Sequence, residues 1–440
     1  MTRTSFDFRK SIRLIFGGML LLLAVFMGIV GAVVSFLIGA VFLSYIPLLS
    51  FIAILVCFLI SFCIFWIAVV KILRSSRTRM AHVMGLITTV GVILISSLTI
   101  FKPLVPSSEV IEPTIPEAVD YWDLETGSRI AYLKIPAENK TKETPVIFLH
   151  GGPGGTVVSF KPITEVISAL SQNGYDVYFY DQIGGGLSGR LKNIREYRLP
   201  RHVADLDRIR NKINAENIIL IGESFGGALA AHYAAAHPET VKRMVLISPA
   251  ELLSQEWDEG TRGNIKDRAT QKTRKKSKNL LGSLRALFAF VLLEFNPDAA
   301  YNFLSEDKAD TLITKYLSLL LGGMACDPKA IPENHNLLIG FWASLVPDEL
   351  PEPANKAVKT KLGSMTLPVL ILRGECDYVK WEVTYEYKSL LKNATLLFLE
   401  GAGHMPFLEK PGLVLESIRS FLLDKKLPLL PYTGNLPPGK

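Results

Sequence analysis

Three residues of this chain have the types and the order needed for nucleophilic catalysis by a serine. Ser224 lies in the string GESFG, and Asp377 and His404 follow it, each in a short segment that contains glycine. A serine hydroxyl becomes a strong nucleophile when a neutral imidazole takes its proton and a carboxylate fixes the tautomer of that imidazole. We therefore expect Ser224 to attack an acyl carbon, His404 to act as base, and Asp377 to orient His404.

The segment around Ser224 predicts a strand, a sharp turn and a helix. An apolar run, 219–221, ends at Gly222, and an alanine-rich segment follows Gly226. The backbone of a serine at such a turn is strained, so the residues two before and two after it must be small. The turn exposes the Ser224 hydroxyl and leaves the N–H of Phe225 at the start of a helix, where it can face an oxyanion.

A second glycine-rich loop, HGGPGG at 150–155, follows the apolar run 145–149. A continuous apolar run of this length predicts a strand buried on both faces. Glycines let backbone amides approach a bound atom closely, so we expect the N–H of Gly151 or Gly152 to complete the oxyanion hole with that of Phe225. A plain glycine turn is the alternative, but it does not explain the histidine and proline in the loop.

The elements that position these residues alternate between strand and helix over 121–250, and the pattern resumes over 363–425. This alternation predicts an α/β fold with a mostly parallel sheet and helices on both faces. Ser224, Asp377 and His404 each follow a predicted strand, so their side chains are expected to converge on one edge of the sheet. Glu375 is a rival to Asp377, but it lies less far into its loop.

Residues 251–362 interrupt the alternation and are expected to form a helical cap over the carboxyl edge of the sheet, where α/β proteins bind ligands. The cap contains apolar helical stretches at 280–295 and 309–321. Its basic run, 266–278, is expected to be a solvated face, with contact to anionic lipid or cell-wall polymer as the alternative. We expect the proline-rich tail, 426–440, to be flexible.

The first 103 residues predict a membrane region. The stretch from Leu14 to Val70 contains no charged residue, which is long enough for two spans, near 14–43 and 48–70. A third span is expected near 83–101, followed by a linker over 104–120. A cleaved signal peptide would not explain the later apolar segments.

The charge distribution predicts how this region is oriented. Residues 1–103 contain nine Lys or Arg and one acid, whereas the rest of the chain contains 39 bases and 40 acids. The positive-inside rule places the basic clusters at 3–13 and 71–79 in the cytoplasm, and three spans then place residue 104 onward outside it. The nearly neutral remainder gives no basis for nucleic-acid binding. We expect an integral protein of the cell membrane with its hydrolytic domain outside the cytoplasm and the bilayer as a partner.

The cysteines and histidines do not predict a metal site or a cofactor, because they are scattered without ligand spacing. Cys326 and Cys376 could pair in an oxidising compartment, but the sequence does not place them within bonding distance. Cys376 could equally be a buried thiol beside the expected acid.

Three strings together resemble the proline iminopeptidase family of α/β-hydrolases: HGGPG at 150–154, DQ with a glycine-rich turn and a serine at 181–188, and the turn at Ser224. The resemblance covers about residues 118–425. It implies the α/β-hydrolase fold and the release of an N-terminal residue, often proline, from a short peptide through an acyl-enzyme.

The resemblance also implies that glutamates of the cap bind the free amine of the substrate. The candidates here are Glu306, Glu349 and Glu352. The chain departs from the family at Glu223 and Phe225, where glycine and tryptophan are more usual.

Two other functions remain open from the sequence. The same three residues could hydrolyse a small acyl ester or a lipid near the membrane, with the apolar cap helices admitting acyl chains. A receptor or scaffold could also use the fold for binding without catalysis.

Overall fold

The computed structural model describes residues 8–72, 78–253, 256–257, 259–332, 337–345 and 352–438. Contacts divide the chain into two compact units. The first comprises Met1–Pro106 and Gly282–Ser305, and the second comprises Ser107–Leu281 and Glu306–Lys440.

The helices and strands are as follows. The helices are α1 (Phe8–Phe42), α2 (Ile46–Trp66, continued as a π-helix over Ile67–Ile72), α3 (Thr78–Leu98), α4 (Lys161–Ser168), α5 (Leu199–Lys212), α6 (Phe225–Ala236), α7 (Glu259–Arg262), α8 (Gln271–Leu281), α9 (Leu284–Phe295), α10 (Pro297–Phe303), α11 (Glu306–Leu320), α12 (Phe341–Leu345), α13 (Glu352–Ser364), α14 (Trp381–Leu390), α15 (Pro406–Glu409) and α16 (Pro411–Leu422). The strands are β1 (Asp120–Asp123), β2 (Arg129–Ile135), β3 (Val146–Leu149), β4 (Val177–Tyr180), β5 (Ile218–Glu223), β6 (Val241–Ile247), β7 (Val369–Gly374) and β8 (Ala394–Leu399).

Over the described residues, the first unit contains three helices that are long and apolar enough to cross a membrane: Ile15–Phe42, Ile46–Ile72 and Thr78–Leu98. Their outward faces carry large apolar side chains, whereas several buried positions are small or polar, including Ala24, Ser61 and Thr89. This distribution is the reverse of that in a water-soluble helical bundle, and it is typical of helices that face lipid.

Small residues allow α1 and α2 to pack closely. A methyl group on Gly28 would collide with the Ser61 hydroxyl, and one on Gly31 would collide with the side chain of Ile60. The Ser61 hydroxyl donates a hydrogen bond to the carbonyl of Ala24 at 3.2 Å. Close backbone approach and an interhelical hydrogen bond stabilise helix pairs where burial of apolar surface from water cannot.

Residues 282–305 fall within the segment predicted to be cap, yet by their contacts they belong to the first unit. The ring of Phe288 in α9 lies 5.4 Å from that of Phe36 in α1. The side-chain amide of Asn296 donates to the carbonyl of Ala40 at 2.8 Å, and that of Asn302 donates to the carbonyl of Ser44 at 3.2 Å. The α9–α10 hairpin therefore packs against the helix ends around the loop that joins α1 to α2.

The second unit is built on an eight-stranded sheet with the order β1-β2-β4-β3-β5-β6-β7-β8. The pairs β1–β2 and β2–β4 are antiparallel, and the remaining pairs are parallel. Leu149 at the end of β3 pairs with Gly222 in β5, and Gly374 at the end of β7 pairs with Leu399 at the end of β8. The loops after these strands therefore leave the sheet at one edge, as predicted.

The strands adjacent to this edge are buried on both faces. Every residue of β3, β5 and β7 is buried. On one face, Phe148 packs against Phe179 and Phe407 with ring centroids 6.0 Å apart in each pair. The continuous apolar runs in the sequence reflect this two-sided burial.

The sequence predicts a flexible tail, but the part of the tail that the structure describes is held by hydrogen bonds and ring contacts. The backbone N–H of Tyr432 donates to the carbonyl of Leu396 in β8 at 2.7 Å, and the indole N–H of Trp381 donates to the carbonyl of Asn435 at 2.9 Å. The ring of Tyr432 lies 5.5 Å from that of Trp381. These contacts order a proline-rich segment that has no regular secondary structure of its own.

Candidate active site

Ser224 has the strained backbone expected of a residue at a sharp turn between strand and helix. It connects β5 to α6 with φ 52° and ψ −120°, in a region that side chains rarely adopt. A methyl group on Gly222 would collide with the carbonyl of Gly226, and one on Gly226 would collide with that of Leu149. The predicted need for small residues on both sides of the serine is therefore confirmed. Phe225 begins α6, so its N–H has no acceptor within the helix.

The structure brings Asp377 and His404 together. Nδ1 of His404 lies 2.6 Å from Oδ1 of Asp377, and both residues are buried. Oδ2 of Asp377 accepts a hydrogen bond from the Arg373 guanidinium at 2.8 Å, and Oδ1 accepts another from the N–H of Val379 at 3.0 Å. Asp377 is thus held by two other groups while it bonds the imidazole.

These contacts set the charge of the pair. Burial alone would raise the pKa of Asp377, but the positive charges of His404 and Arg373 and its hydrogen bonds hold that pKa below its ordinary value. Burial alone would lower the pKa of His404, but Asp377, and more weakly Glu223, raise it. The arrangement suits an ionised carboxylate that stabilises a protonated imidazole during a reaction.

Glu223, the last residue of β5, places a second carboxylate beside His404. Its Oε1 lies 3.7 Å from Nε2 of His404, and the side chain is buried. A methyl group on Gly151 would collide with its Oε2, so the carboxylate also lies against the backbone of Gly151. Burial raises the pKa of Glu223 to about 7, although His404 and the Gly151 N–H act in the opposite direction.

The glycine-rich loop at 150–155 is fixed by its histidine. Nδ1 of His150 lies 2.7 Å from the carbonyl of Gly151, and Nε2 accepts a hydrogen bond from the N–H of Gln182 at 2.8 Å. The Gln182 side chain donates to the carbonyl of His150 at 2.8 Å. The two glycine-rich loops of the sequence are therefore joined to each other, which accounts for the histidine that a plain glycine turn left unexplained.

Asp181 and Arg190 complete the structure of the second glycine-rich loop. The carboxylate of Asp181 accepts hydrogen bonds from the N–H groups of Val157 at 2.6 Å and Leu187 at 2.8 Å, which makes it a structural turn residue. Arg190 donates to Asp310 of α11 at 2.8 Å and so ties this loop to the cap.

Cap residues hold the His404 loop in the same way. The N–H of His404 donates to the carbonyl of Met324 at 2.6 Å. Cys326 forms a disulfide with Cys376, the residue before Asp377, with the two Cα atoms 5.1 Å apart. Both sequence-predicted partners of Ser224 are therefore anchored to the same short stretch of the cap, 324–326.

Potential metal ligands among the residues that the structure describes gather at Cys326, Cys376 and Glu375. The two sulfur atoms are joined in the disulfide, and Glu375 accepts a hydrogen bond from the N–H of Gly401 at 2.8 Å. These groups are committed to structural bonds.

Of the three glutamates suggested for amine binding, one can be placed in detail. Glu306 begins α11, and its Oε1 lies 3.9 Å from Nε of Arg190. Glu349 lies outside the described residues. Glu352 begins α13, and only its backbone is described.

Sequence reasoning did not assign a role to Glu223 or Arg373. Both have a signal in the sequence, because each is a charged residue at the end of an otherwise apolar strand. A charge in such a position is buried at the edge of the sheet and needs a partner there. In the sequence, Glu223 stands out only as a departure from the family.

The fold and this arrangement of residues define a class of protein. The model of the alpha/beta hydrolase fold family matches residues 144–411, so the chain belongs to that family. This match spans both glycine-rich loops, Ser224, Asp377 and His404.

Curated relatives of the chain include several proline iminopeptidases. The protein from Heyndrickxia coagulans is 28% identical over 299 residues, which cover 68% of this chain and 96% of the relative. The protein from Saccharolobus solfataricus is 24% identical over 288 residues, which cover 63% and 84% of the two chains. The predicted resemblance to this group of α/β-hydrolases is confirmed.

Solved structures similar to the chain include a proline iminopeptidase from Mycobacterium smegmatis, with a TM-score of 0.45 and 20% identity, covering 70% of this chain and 98% of that one. An esterase from Rhodococcus has a TM-score of 0.47 and 19% identity, covering 70% and 100%.

Proposed function

We propose that this protein is a membrane-anchored serine hydrolase of the aminopeptidase type, which releases the N-terminal residue of a short peptide through an acyl-enzyme. The observation that carries the proposal is the buried hydrogen bond between His404 and Asp377 at the sheet edge that also holds the strained turn of Ser224. The proline iminopeptidase relatives support the choice of peptide over other acyl substrates.

In the proposed mechanism, the Ser224 hydroxyl attacks the carbonyl carbon of the N-terminal residue while His404 takes its proton. The N–H of Phe225, with that of Gly151 or Gly152, stabilises the oxyanion. His404 then gives the proton to the leaving amine, and the acyl-enzyme remains on Ser224. Water, activated by His404, hydrolyses the acyl-enzyme and releases the amino acid.

Anchoring in the membrane is supported by the three apolar helices and by the large apolar side chains on their outward faces. We propose that the second unit lies outside the cytoplasm. The basic residues near the ends of the helices support this orientation through the positive-inside rule. The Cys326–Cys376 disulfide also supports it, because disulfides persist in oxidising compartments.

Hydrolysis by the full-length protein in detergent tests the proposed function. The substrates are prolyl, alanyl and leucyl arylamides with a free α-amine, beside short and long acyl esters, with Ser224→Ala as control. We expect Ser224-dependent cleavage of the arylamides. Cleavage of esters alone would contradict the aminopeptidase assignment. It would indicate a serine hydrolase with a different substrate specificity.

An esterase that acts near the membrane is the second candidate. The α9 helix, in the first unit, exposes Leu284, Leu287, Val291 and Phe295 at helical spacing. The same unit contains a largely apolar cavity of about 390 Å³, lined by residues of α1, α2 and α3 and by Phe288. An acyl chain fits such a lining, so a preference for long-chain esters in the substrate panel would favour this candidate.

A further inference from the structure

Glu223 is a buried carboxylate that the proposed mechanism does not use. It lies on the opposite side of the imidazole from Asp377: Asp377 bonds Nδ1 of His404, whereas Oε1 of Glu223 lies 3.7 Å from Nε2. Its 4% exposure is close to the 7% exposure of Ser224, which immediately follows it. Glu223 is therefore buried to about the same degree as the expected nucleophile.

The position of the carboxylate is defined by a second contact. A methyl group on Gly151 would collide with Oε2, so the carboxylate lies against the backbone of Gly151. The carboxylate thus lies between the nitrogen that serves Ser224 as base and a backbone amide expected in the oxyanion hole. The acyl carbon attacked by Ser224 must lie in this region, because its oxygen binds the hole while His404 serves the attacking and leaving groups.

Among the residues that the structure describes, none places a permanently charged cation beside this carboxylate. Asp377 is neutralised by Arg373 at 2.8 Å, and Glu306 of the cap lies 3.9 Å from Arg190. Among the described residues, the ion pair of Glu223 is with His404, which carries a charge only when it is protonated. A neutral His404, which the reaction requires, leaves an ionised Glu223 uncompensated in a buried site.

We propose that Glu223 binds the free α-ammonium group of the substrate and so makes the site specific for peptides with an unblocked N-terminus. In an aminoacyl group the α-nitrogen lies about 2.5 Å from the carbonyl carbon, so a carboxylate beside that carbon is within reach of it. This assignment rests on the proposed function and names the group that the peptidase reaction needs for recognition.

Binding then exchanges partners without forming a covalent bond to Glu223. The carbonyl oxygen of the substrate accepts a hydrogen bond from the N–H of Gly151, and the α-ammonium group becomes the partner of the carboxylate. A substrate that lacks the amine displaces the carboxylate from Gly151 without compensating its charge. The site therefore disfavours acyl groups that have no α-amine.

The test compares two substrates in full-length protein in detergent: an alanyl arylamide with a free amine and a butyryl ester of similar size that lacks an amine. In Glu223→Gln we expect the ratio of kcat/KM for the arylamide to that for the ester to fall by roughly 10- to 100-fold, mainly through a higher KM for the arylamide. We expect this ratio to fall less in Glu223→Asp, which keeps the negative charge on a shorter side chain. If Glu223 has only a structural role, kcat/KM will fall in the same proportion for both substrates. This result would overturn the proposal.

Two matched variants complete the experiment. Glu165→Gln removes an exposed carboxylate in α4, and Glu306→Gln removes the cap carboxylate near Arg190; we expect both to keep the ratio. A collapse of the ratio in Glu306→Gln instead of Glu223→Gln would assign amine binding to the cap and overturn the proposal. Labelling of Ser224 by a fluorophosphonate, whatever its rate, verifies that each variant is folded.

The outcomes separate this inference from the proposed function. If the wild-type protein cleaves the arylamide and Glu223→Gln keeps the substrate ratio, the assignment of Glu223 is wrong and the aminopeptidase function stands. If the wild-type protein cleaves esters but not unblocked arylamides, the proposed function is wrong, and the assignment of Glu223 falls with it.

Discussion

At the scale of single residues, the candidate site depends on the charges that surround one imidazole. His404 faces Asp377 and Glu223, and Arg373 lies behind Asp377. The two carboxylates raise the pKa of His404, while burial and Arg373 lower it. The proposed base must be neutral to accept a proton, so these groups decide the pH above which the protein is active.

The first prediction concerns this pH dependence. Since kcat/KM requires neutral His404, it should rise with pH as the imidazole loses its proton. Glu223→Gln removes a carboxylate that raises the pKa of His404, so the acid limb of the profile should move to lower pH. The measurement is kcat/KM for a neutral ester from pH 5 to 9. An acid limb that moves to higher pH would show that Glu223 does not raise the pKa of His404.

The second prediction concerns Gly151. A methyl group there would collide with the Glu223 carboxylate and approach Cβ of Ser224 to 3.0 Å. We expect Gly151→Ala to lower kcat/KM by roughly 100-fold or more, because it displaces groups at the site of attack and an amide of the expected oxyanion hole. Gly412→Ala is the matched control, since nothing lies within 4 Å of the added methyl group. Equal activity of the two variants would show that Gly151 is not part of the active site.

Much of the site could be predicted from single residues. The order of Ser224, Asp377 and His404, and the glycines around Ser224, predicted the shared edge and the tight turn that the structure contains. Glu223 and Arg373 could not be assigned, because a charge at the end of a strand shows that a partner is needed but does not name it. The close approach of Glu223 to Gly151 depends on a side-chain conformation that the sequence does not encode locally.

At the scale of elements, the loops that hold the candidate site are fixed by the cap. Met324 bonds the backbone of His404, Cys326 is linked to Cys376, and Asp310 bonds Arg190 in the second glycine-rich loop. The His404 and Asp377 loops thus share one anchor in the cap. Disturbance of this anchor should affect both residues together.

The third prediction concerns the disulfide. Cys326 and Cys376 are 50 residues apart in sequence, and closing a loop of that length stabilises a fold by about 4 kcal/mol in the chain-entropy treatment. We expect replacement of both cysteines by serine to lower the free energy of unfolding by about 2–4 kcal/mol and to reduce kcat. Denaturant unfolding of the second unit, followed by activity, measures the effect. Cys63→Ser, which removes a cysteine not joined in a disulfide, is the control, and an equal effect of the control would contradict the prediction.

The elements differ in how well the sequence predicted them. The strands near the site can be predicted from the sequence, because each is a continuous apolar run that is buried on both faces. The edge strand β1 was missed, since Asp120–Asp123 is short and partly exposed. The place of α9 could not be predicted, because an apolar helix does not specify which apolar surface it meets; it packs with the membrane-type helices of the first unit.

At the scale of the whole molecule, three apolar helices precede the hydrolase fold. An odd number of spans places the two ends of the chain on opposite sides of a membrane. The basic residues near the N-terminus and after α2 favour the cytoplasmic side for those segments. The proposed extracytoplasmic location of the second unit follows from this count.

The fourth prediction concerns this topology. Alkaline phosphatase, which is active only outside the cytoplasm, should be active when it is fused after Lys440. It should be inactive when it is fused after Arg74, between the second and third candidate spans in the sequence. Activity of the Arg74 fusion together with inactivity of the Lys440 fusion would show that the orientation is the reverse of the one proposed. Inactivity of both would mean that an even number of segments crosses.

The most direct test of Ser224 as the nucleophile is covalent labelling of the full-length protein with a fluorophosphonate, followed by mass spectrometry of its peptides. We predict one adduct on the peptide that contains Ser224, no adduct in Ser224→Ala, and labelling slowed by several orders of magnitude in His404→Gln. Folded wild-type protein that does not react, or an adduct that persists in Ser224→Ala, would contradict the assignment of Ser224 as nucleophile. The first of these results would favour a receptor or scaffold built on the hydrolase fold.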